Sequence, residues 1–163
     1  MAKSGYKCVI GDCHYLEIKS IIDNAQKYLI LCAPYWWAQN DEDRLSKDFS
    51  SDILLPIVRC VNKGVKVVLI SSAKYYESLK TMFREEFGVS VYVCYSDNFH
   101  CKVYMNEKSI LVTSMNLCNN TKNDIGCLFE NDMNLRKEIF EVIENEILEH
   151  NYHKQYFKKV AYS

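Results

Sequence analysis

Apolar residues along this chain follow two alternating rhythms. Leu16, Ile18, Ile21, Ile22 and Ala25 recur at helical spacing, which predicts an amphipathic helix over roughly 14–27. Leu29-Ile30-Leu31-Cys32-Ala33 is a short continuous apolar run, read as a buried strand stopped by Pro34. A polar loop then starts at Tyr35-Trp36-Trp37 and passes through Asn40-Asp41-Glu42-Asp43, where an α/β protein commonly puts a functional connection. Ile53, Leu54, Ile57, Val58 and Val61 form the apolar face of a second helix. Gly64 is placed just past its C-terminus, and Pro56 must fall in its first turn, where a missing N–H costs least.

Residues 65–70 read as a strand too continuously apolar for a one-sided sheet. Tyr75, Tyr76, Leu79, Met82, Phe83 and Phe87 make the next helix, and 89–95 the next strand. Strands over 101–105 and 109–112 flank a tight Asn106-Glu107-Lys108 turn, and 125–129 is one more strand. The last helix begins near Asp132, carries Leu135, Ile139, Ile143 and Ile147 at four-residue steps, and takes in His150 and His153. This alternation predicts an α/β fold, a mixed β-sheet flanked by helices on both faces. A length of 163 residues makes it a single domain over 1–163, with no internal repeat.

Composition removes several classes. Hydrophobic residues at 48% and charged residues at 25% are ordinary for a globular domain, so disorder and fibrous repeats are excluded. No apolar run approaches the roughly 18 residues of a membrane span, so no stable membrane insertion is expected. The first eight residues lack the apolar stretch of a secretion signal. Lysine plus arginine number 20 against 21 acids, a net charge of -1, so any phosphate recognition must be local rather than a global field. Eight cysteines occur without a C-x-x-C pair. Cys8, Cys13 and His14 are the nearest thing to a metal cluster, and bare spacing is weak support for one; no metal or cofactor is expected. Cysteines within apolar strands act as small hydrophobes and point to a reducing, cytoplasmic compartment.

Chemistry concentrates in Phe99-His100-Cys101-Lys102-Val103-Tyr104-Met105-Asn106-Glu107 and the following Thr113-Ser114-Met115-Asn116. Strand periodicity puts His100 and Lys102 on one face. The hairpin returns the chain antiparallel, so Ser114 and Asn116 arrive beside the His100 end. An imidazole, an ammonium, a hydroxyl and an amide then converge. That set suits a phosphate diester: Lys102 and Asn116 face non-bridging oxygens as charge builds, and a histidine attacks phosphorus or shuttles a proton near neutral pH. Each residue alone is ordinary at a strand end; the joint spacing carries the reading.

His100-x-Lys102-x4-Glu107-x5-Thr113-Ser114-x-Asn116 resembles the HKD motif of the phospholipase D superfamily, His-x-Lys-x4-Asp-x6-Gly-Ser-x-Asn. Glu107 stands where Asp is usual and Thr113 where Gly is usual, with one residue fewer between them. Asn123-Asp124-Ile125-Gly126 resembles the family's downstream Asn-x-Glu-x-Gly stretch, 59–67 its helix-to-strand turn, and Ala33-Pro34-Tyr35-Trp36 the end of its first core strand. The resemblance implies a metal-independent phosphodiesterase acting through a phosphohistidine. It implies His100 as nucleophile or acid/base, Lys102 and Asn116 as phosphate-binding groups, Ser114 as a hydrogen-bond donor, and Asp124 as the acid orienting the imidazole. That chemistry needs two histidines. His14, His150 and His153 have no lysine two residues on, so the second must come from a homodimer with a shared active site.

Nucleic acid is the expected substrate, cleaved by an endonuclease of this type, since no membrane anchor is evident. The Tyr35-Trp36-Trp37 cluster could stack on unpaired bases or serve as core and interface aromatics. Lys154, Lys158 and Lys159 could track a backbone or simply favour a helix C-terminus. Two other readings stand beside it: a phospholipid (cardiolipin-type) hydrolase, and a catalytically weak nucleic-acid-binding module retaining the fold.

Overall fold

A computed structural model describes residues 5–36, 53–117 and 123–162. In chain order the elements are β1 (Gly5–Ile10), α1 (Cys13–Asp23), β2 (Tyr28–Cys32), α2 (Leu55–Asn62), β3 (Lys66–Ser71), α3 (Ala73–Thr81), β4 (Tyr92–Tyr95), β5 (Lys102–Asn106), β6 (Ser109–Thr113), β7 (Ile125–Glu130), α4 (Met133–Val142) and α5 (Asn151–Ala161). Wider π-type turns, Met82–Glu86 and Ile143–Ile147, extend α3 and α4.

The strands form one mixed sheet in the order β1-β7-β6-β5-β2-β3-β4. β2, β3 and β4 are parallel, and β5, β6, β7 and β1 join antiparallel. Alternate residues of the central strands feed opposite faces. Leu29, Leu31, Val67 and Leu69 pack with Ile18, Ile22, Ile57 and Leu79 of α1–α3. Ile30, Cys32, Val68 and Ile70 pack with Phe140, Ile143, Phe157 and Val160 from α4 to α5. Burial on both faces is why these strands read as unbroken apolar runs. The expected α/β architecture, with helices on both faces of a mixed sheet, is therefore present. Pro56 lies in the first turn of α2, and Gly64 follows its end at φ +83°, a left-handed value that costs glycine nothing.

Four sequence expectations change. β1 was not predicted: of its six residues only Val9 is buried, so an edge strand held by main-chain pairing to β7 leaves almost no apolar signature. The first helix stops at Asp23 rather than 27. There the Glu107 carboxylate accepts hydrogen bonds from the Gln26 and Lys27 amides at 3.2 Å, turning the chain into β2. The strand expected over 89–95 begins only at Tyr92. The last helix is two helices. Leu148 is extended, with φ -81° and ψ 105°, and α5 starts afresh beyond His150, so one four-residue rhythm spans a break. The loop through Asn40–Asp43 lies outside the described residues.

Candidate functional site

The C-terminal ends of β2, β3 and β4, the start of β5, the end of β6 and the start of β7 all meet at one end of the sheet. Cross-strand register fixes the arrangement. Lys102 pairs with Thr113, and Thr113 with Gly126, so Ser114 and Asp124 arrive just past the ladder. His100 stands two residues before Lys102, exposed, while Lys102 is half-buried.

The loop carrying His100 is fixed by its own polar residues. Asp97 accepts from the Ala73 amide at 2.9 Å, and the Ser96 amide donates to the Ser71 carbonyl at 3.0 Å. Glu149, from the break between α4 and α5, accepts from Ser96 Oγ at 3.3 Å and Asn98 Nδ2 at 2.6 Å. Phe99 is buried beneath. The imidazole is thus presented outward from a braced backbone. Glu149 lacked any local motif, and only the helix break brings it here.

On the facing side, Ser114 Oγ donates to Asp124 Oδ1 at 2.8 Å and accepts from the Ile125 amide at 3.1 Å. Asp124 is thereby engaged by Ser114, and among the described residues no hydrogen bond joins it to His100. The half-buried Asn116 carries a buried side-chain oxygen with no partner among the described residues. Its neighbours are held firmly, with Tyr104 Oη donating to the Met115 carbonyl at 2.7 Å and the Leu117 amide donating to the Tyr35 carbonyl at 3.1 Å.

Thr113, standing where the family pattern has glycine, is buried. Its hydroxyl donates to the Ile125 carbonyl at 3.3 Å and accepts from the Met115 amide at 3.0 Å. Space is conceded across the ladder instead: a Cβ on Gly126 would lie 2.9 Å from Thr113 Cβ, and 2.8 Å from both Val112 O and His14 Nε2. His14 is fully buried behind Gly126, its Nδ1 2.8 Å from the Gly11 carbonyl, and the Gly11 amide donates to the Asp124 carbonyl at 3.0 Å. His14 therefore backs the site from within the core. Glu107 lies at the opposite end of β5, where its bonds to Gln26 and Lys27 give it a structural task.

Cys101, between His100 and Lys102, is diagonal to Cys32 across the β2–β5 pair, where Cys32 faces Val103. A hydrogen bond from Cys32 and the Lys102 ammonium hold the Cys101 thiol below its ordinary pKa, whereas burial pushes Cys32 up. The aromatic cluster at the end of β2 divides. Trp36 is fully buried, its Nε1 donating to the Ala33 carbonyl at 3.0 Å, so it is a core residue, while Tyr35 is partly exposed. Trp37 lies outside the described residues. Of the C-terminal lysines, Lys158 pairs with Glu144 at 2.7 Å. Among the described residues no three metal-ligating side chains cluster, and no helix is long and apolar enough to cross a membrane.

Solved structures share this fold over nearly the whole chain. A phospholipase D family member, Nuc from Salmonella typhimurium, matches with a TM-score of 0.64 at 17% identity, over 97% of this chain and 96% of Nuc. NucT from Helicobacter pylori matches with a TM-score of 0.59 at 16% identity, over 99% and 98%. The phosphatidylserine synthase of Haemophilus influenzae matches with a TM-score of 0.62 at 18% identity, over 98% of this chain and 43% of the synthase. No protein-family model and no curated protein sequence matches the chain. The chain shares the fold of these structures.

Proposed function

We propose that this chain, built on the phospholipase D fold, is a metal-independent phosphodiesterase, an endonuclease whose active site is shared across a homodimer. One observation carries the reading. The register Lys102–Thr113–Gly126 delivers His100, Lys102, Ser114, Asn116 and Asp124 to a single end of the sheet. The near end-to-end likeness to Nuc and NucT supports it, since both are of this chain's size.

The chemistry follows from the donor set. An imidazole nitrogen of His100 attacks phosphorus and a P–N bond forms. The bond to the leaving oxygen breaks, and that oxygen takes a proton from the partner subunit's His100. The second imidazole, now neutral, removes a proton from water. The hydroxide displaces His100 and leaves a phosphomonoester, with both imidazoles restored. Lys102 and Asn116 offset the charge on the non-bridging oxygens. Ser114 donates its hydroxyl to Asp124 and so holds that carboxylate at the same end of the sheet.

The decisive assay is cleavage of single- and double-stranded DNA and RNA in EDTA, beside phospholipid vesicles, with His100→Ala as control. The expected result is EDTA-resistant cleavage of nucleic acid that the substitution lowers by at least about 10³-fold. Release of phosphatidic acid without nucleic-acid cleavage would replace this reading with lipid hydrolysis. Binding without turnover, unchanged by His100→Ala, would leave a binding module. Full activity in a monomer at nanomolar concentration would defeat the shared site.

A further inference from the structure

The other end of the sheet holds a feature that phosphodiester chemistry does not use. Arg136, on α4, is only 5% exposed. Its guanidinium donates to Met133 Sδ at 3.0 Å and to the Asn106 carbonyl at 3.4 Å. Its Nε has no hydrogen-bond partner, and among the described residues no carboxylate lies within ion-pair distance of it. A buried guanidinium without a counter-charge is costly. Tyr28, beside it at the start of β2, is 6% exposed, and its hydroxyl interacts with the Arg136 guanidinium without completing a hydrogen bond of good geometry.

Both groups line a cavity of about 560 Å³, within the usual range for small-molecule sites. Lys27 and Lys137 add two cations to its wall, and Glu107 is the one carboxylate there. Glu107 is spent on the Gln26 and Lys27 amides, and Lys137 makes a long, exposed 3.8 Å contact with Glu141. The lining side chains therefore leave an excess of two positive charges. The remaining wall is aromatic. Tyr28 and Phe140 meet edge to face at 6.0 Å, and Phe140 and Tyr162 at 5.6 Å. Burial pushes the Tyr28 phenol up to about 12, so it remains an O–H donor at any ordinary pH.

We propose that this cavity binds a phosphomonoester with a flat aromatic body, of which a nucleoside monophosphate is the simplest form. The phosphate, close to a dianion at neutral pH, matches the excess charge. Arg136 Nε and the Tyr28 hydroxyl supply the two donors left without a completed hydrogen bond, and guanidinium is well suited to phosphate oxygens. The base lies against the Tyr28, Phe140 and Tyr162 rings. The site is separate from the His100 end: β5 runs from Lys102 to Asn106, about 13 Å between the two at strand rise.

Calorimetric titration of the full chain with AMP, inorganic phosphate and adenosine tests this. AMP is expected to bind, inorganic phosphate more weakly, and adenosine at least about tenfold more weakly than AMP. Arg136→Gln should abolish AMP binding. If that variant fails to fold, Tyr28→Phe and Lys137→Ala decide, because the first removes only a hydroxyl without a completed hydrogen bond and the second an exposed side chain. Each is expected to weaken AMP several-fold, while His100→Ala leaves it unchanged. Adenosine binding as tightly as AMP, no response to any phosphate, affinity indifferent to both conservative variants, or loss of binding in His100→Ala would each overturn the assignment.

Discussion

The two ends of the sheet are both polar, and they are built in opposite ways. At the His100 end the groups come from one stretch of chain folded back on itself, residues 96–126. The loop and strand anchors there are paired, Asp97 with Ala73, Ser114 with Asp124, Thr113 with Ile125 and Met115. Asn116 Oδ1 and His14 Nε2 are buried with no partner among the described residues. At the Arg136 end the groups come from positions 27, 28, 107, 136 and 137, and two buried donors are left without a completed hydrogen bond. The first end is an organised surface with an exposed imidazole, suited to a reaction. The second is a concave pocket with uncompensated charge, suited to holding an anion. The kind of group left over distinguishes them: at the first end an amide oxygen and an imidazole nitrogen, at the second a guanidinium and a phenol in a wall of excess positive charge.

The largest expected effect comes from the exposed imidazole. His100→Ala removes at least about 10³-fold of cleavage while leaving the melting temperature and AMP binding where they were, because His100 is exposed and makes no hydrogen bond among the described residues. Parallel loss of cleavage and AMP binding would merge the two ends into one site and erase the contrast.

Next comes the close approach behind the site. Gly126→Ala forces a Cβ to within 2.8 Å of the Val112 carbonyl oxygen and the His14 ring, and 2.9 Å from Thr113 Cβ. Backbone is among the obstacles, so relief requires β6 and β7 to separate. Overpacking of this kind costs about 2 kcal/mol, a fall of roughly 4–8 °C in melting temperature for a chain of this size. Cleavage should fall with it, since the displaced strands carry Ser114 and Asp124. A variant as stable and active as the parent would show that the ladder yields freely there.

The contrast also explains what could be read from the linear chain. His100, Lys102, Ser114 and Asn116 share one hairpin, so their proximity is encoded in spacing, and Asp124 follows on the next strand. The apolar runs of β2 and β3 declare themselves because both faces are covered. β1 stayed hidden because main-chain pairing holds it with one buried side chain. Glu149 and His14 were equally hidden, since a helix break and a core contact, neither with a local signature, bring them to the site. Arg136 and Tyr28 belong to no motif along the chain. Only the sheet order, which puts β2 beside β5 and the end of β5 under α4, makes them neighbours.

A smaller effect is expected at the turn joining the motif to the pocket. Glu107 accepts from the Gln26 and Lys27 amides. Glu107→Gln retains one acceptor oxygen and loses the charge, which should cost about 1 kcal/mol by chemical denaturation. Cleavage per folded molecule should not change, because Glu107 lies at the far end of β5 from Lys102. A fall in turnover without a fall in stability would give Glu107 a role in the reaction and dissolve the division between the ends.

The smallest effect is a pH dependence confined to the His100 half. His153 is buried among Tyr76, Tyr92, Tyr95, His150 and Tyr152. Burial, then the charges of His150 and Lys80, lower its pKa from the ordinary 6.5. Its Nδ1 is 3.2 Å from the Tyr92 hydroxyl. The folded chain thus binds fewer protons here than the unfolded chain. Its contribution is complete above about pH 6.5 and is lost as pH falls below that value toward the depressed folded pKa. Melting curves from pH 7.5 to 5 should show a modest acid loss that His153→Phe reduces. The Arg136 pocket is lined by lysine, arginine, tyrosine and one glutamate, with no histidine, so once unfolding is corrected for, AMP affinity should change over this range only with the phosphate's own titration. An acid loss untouched by His153→Phe would place the titrating group elsewhere.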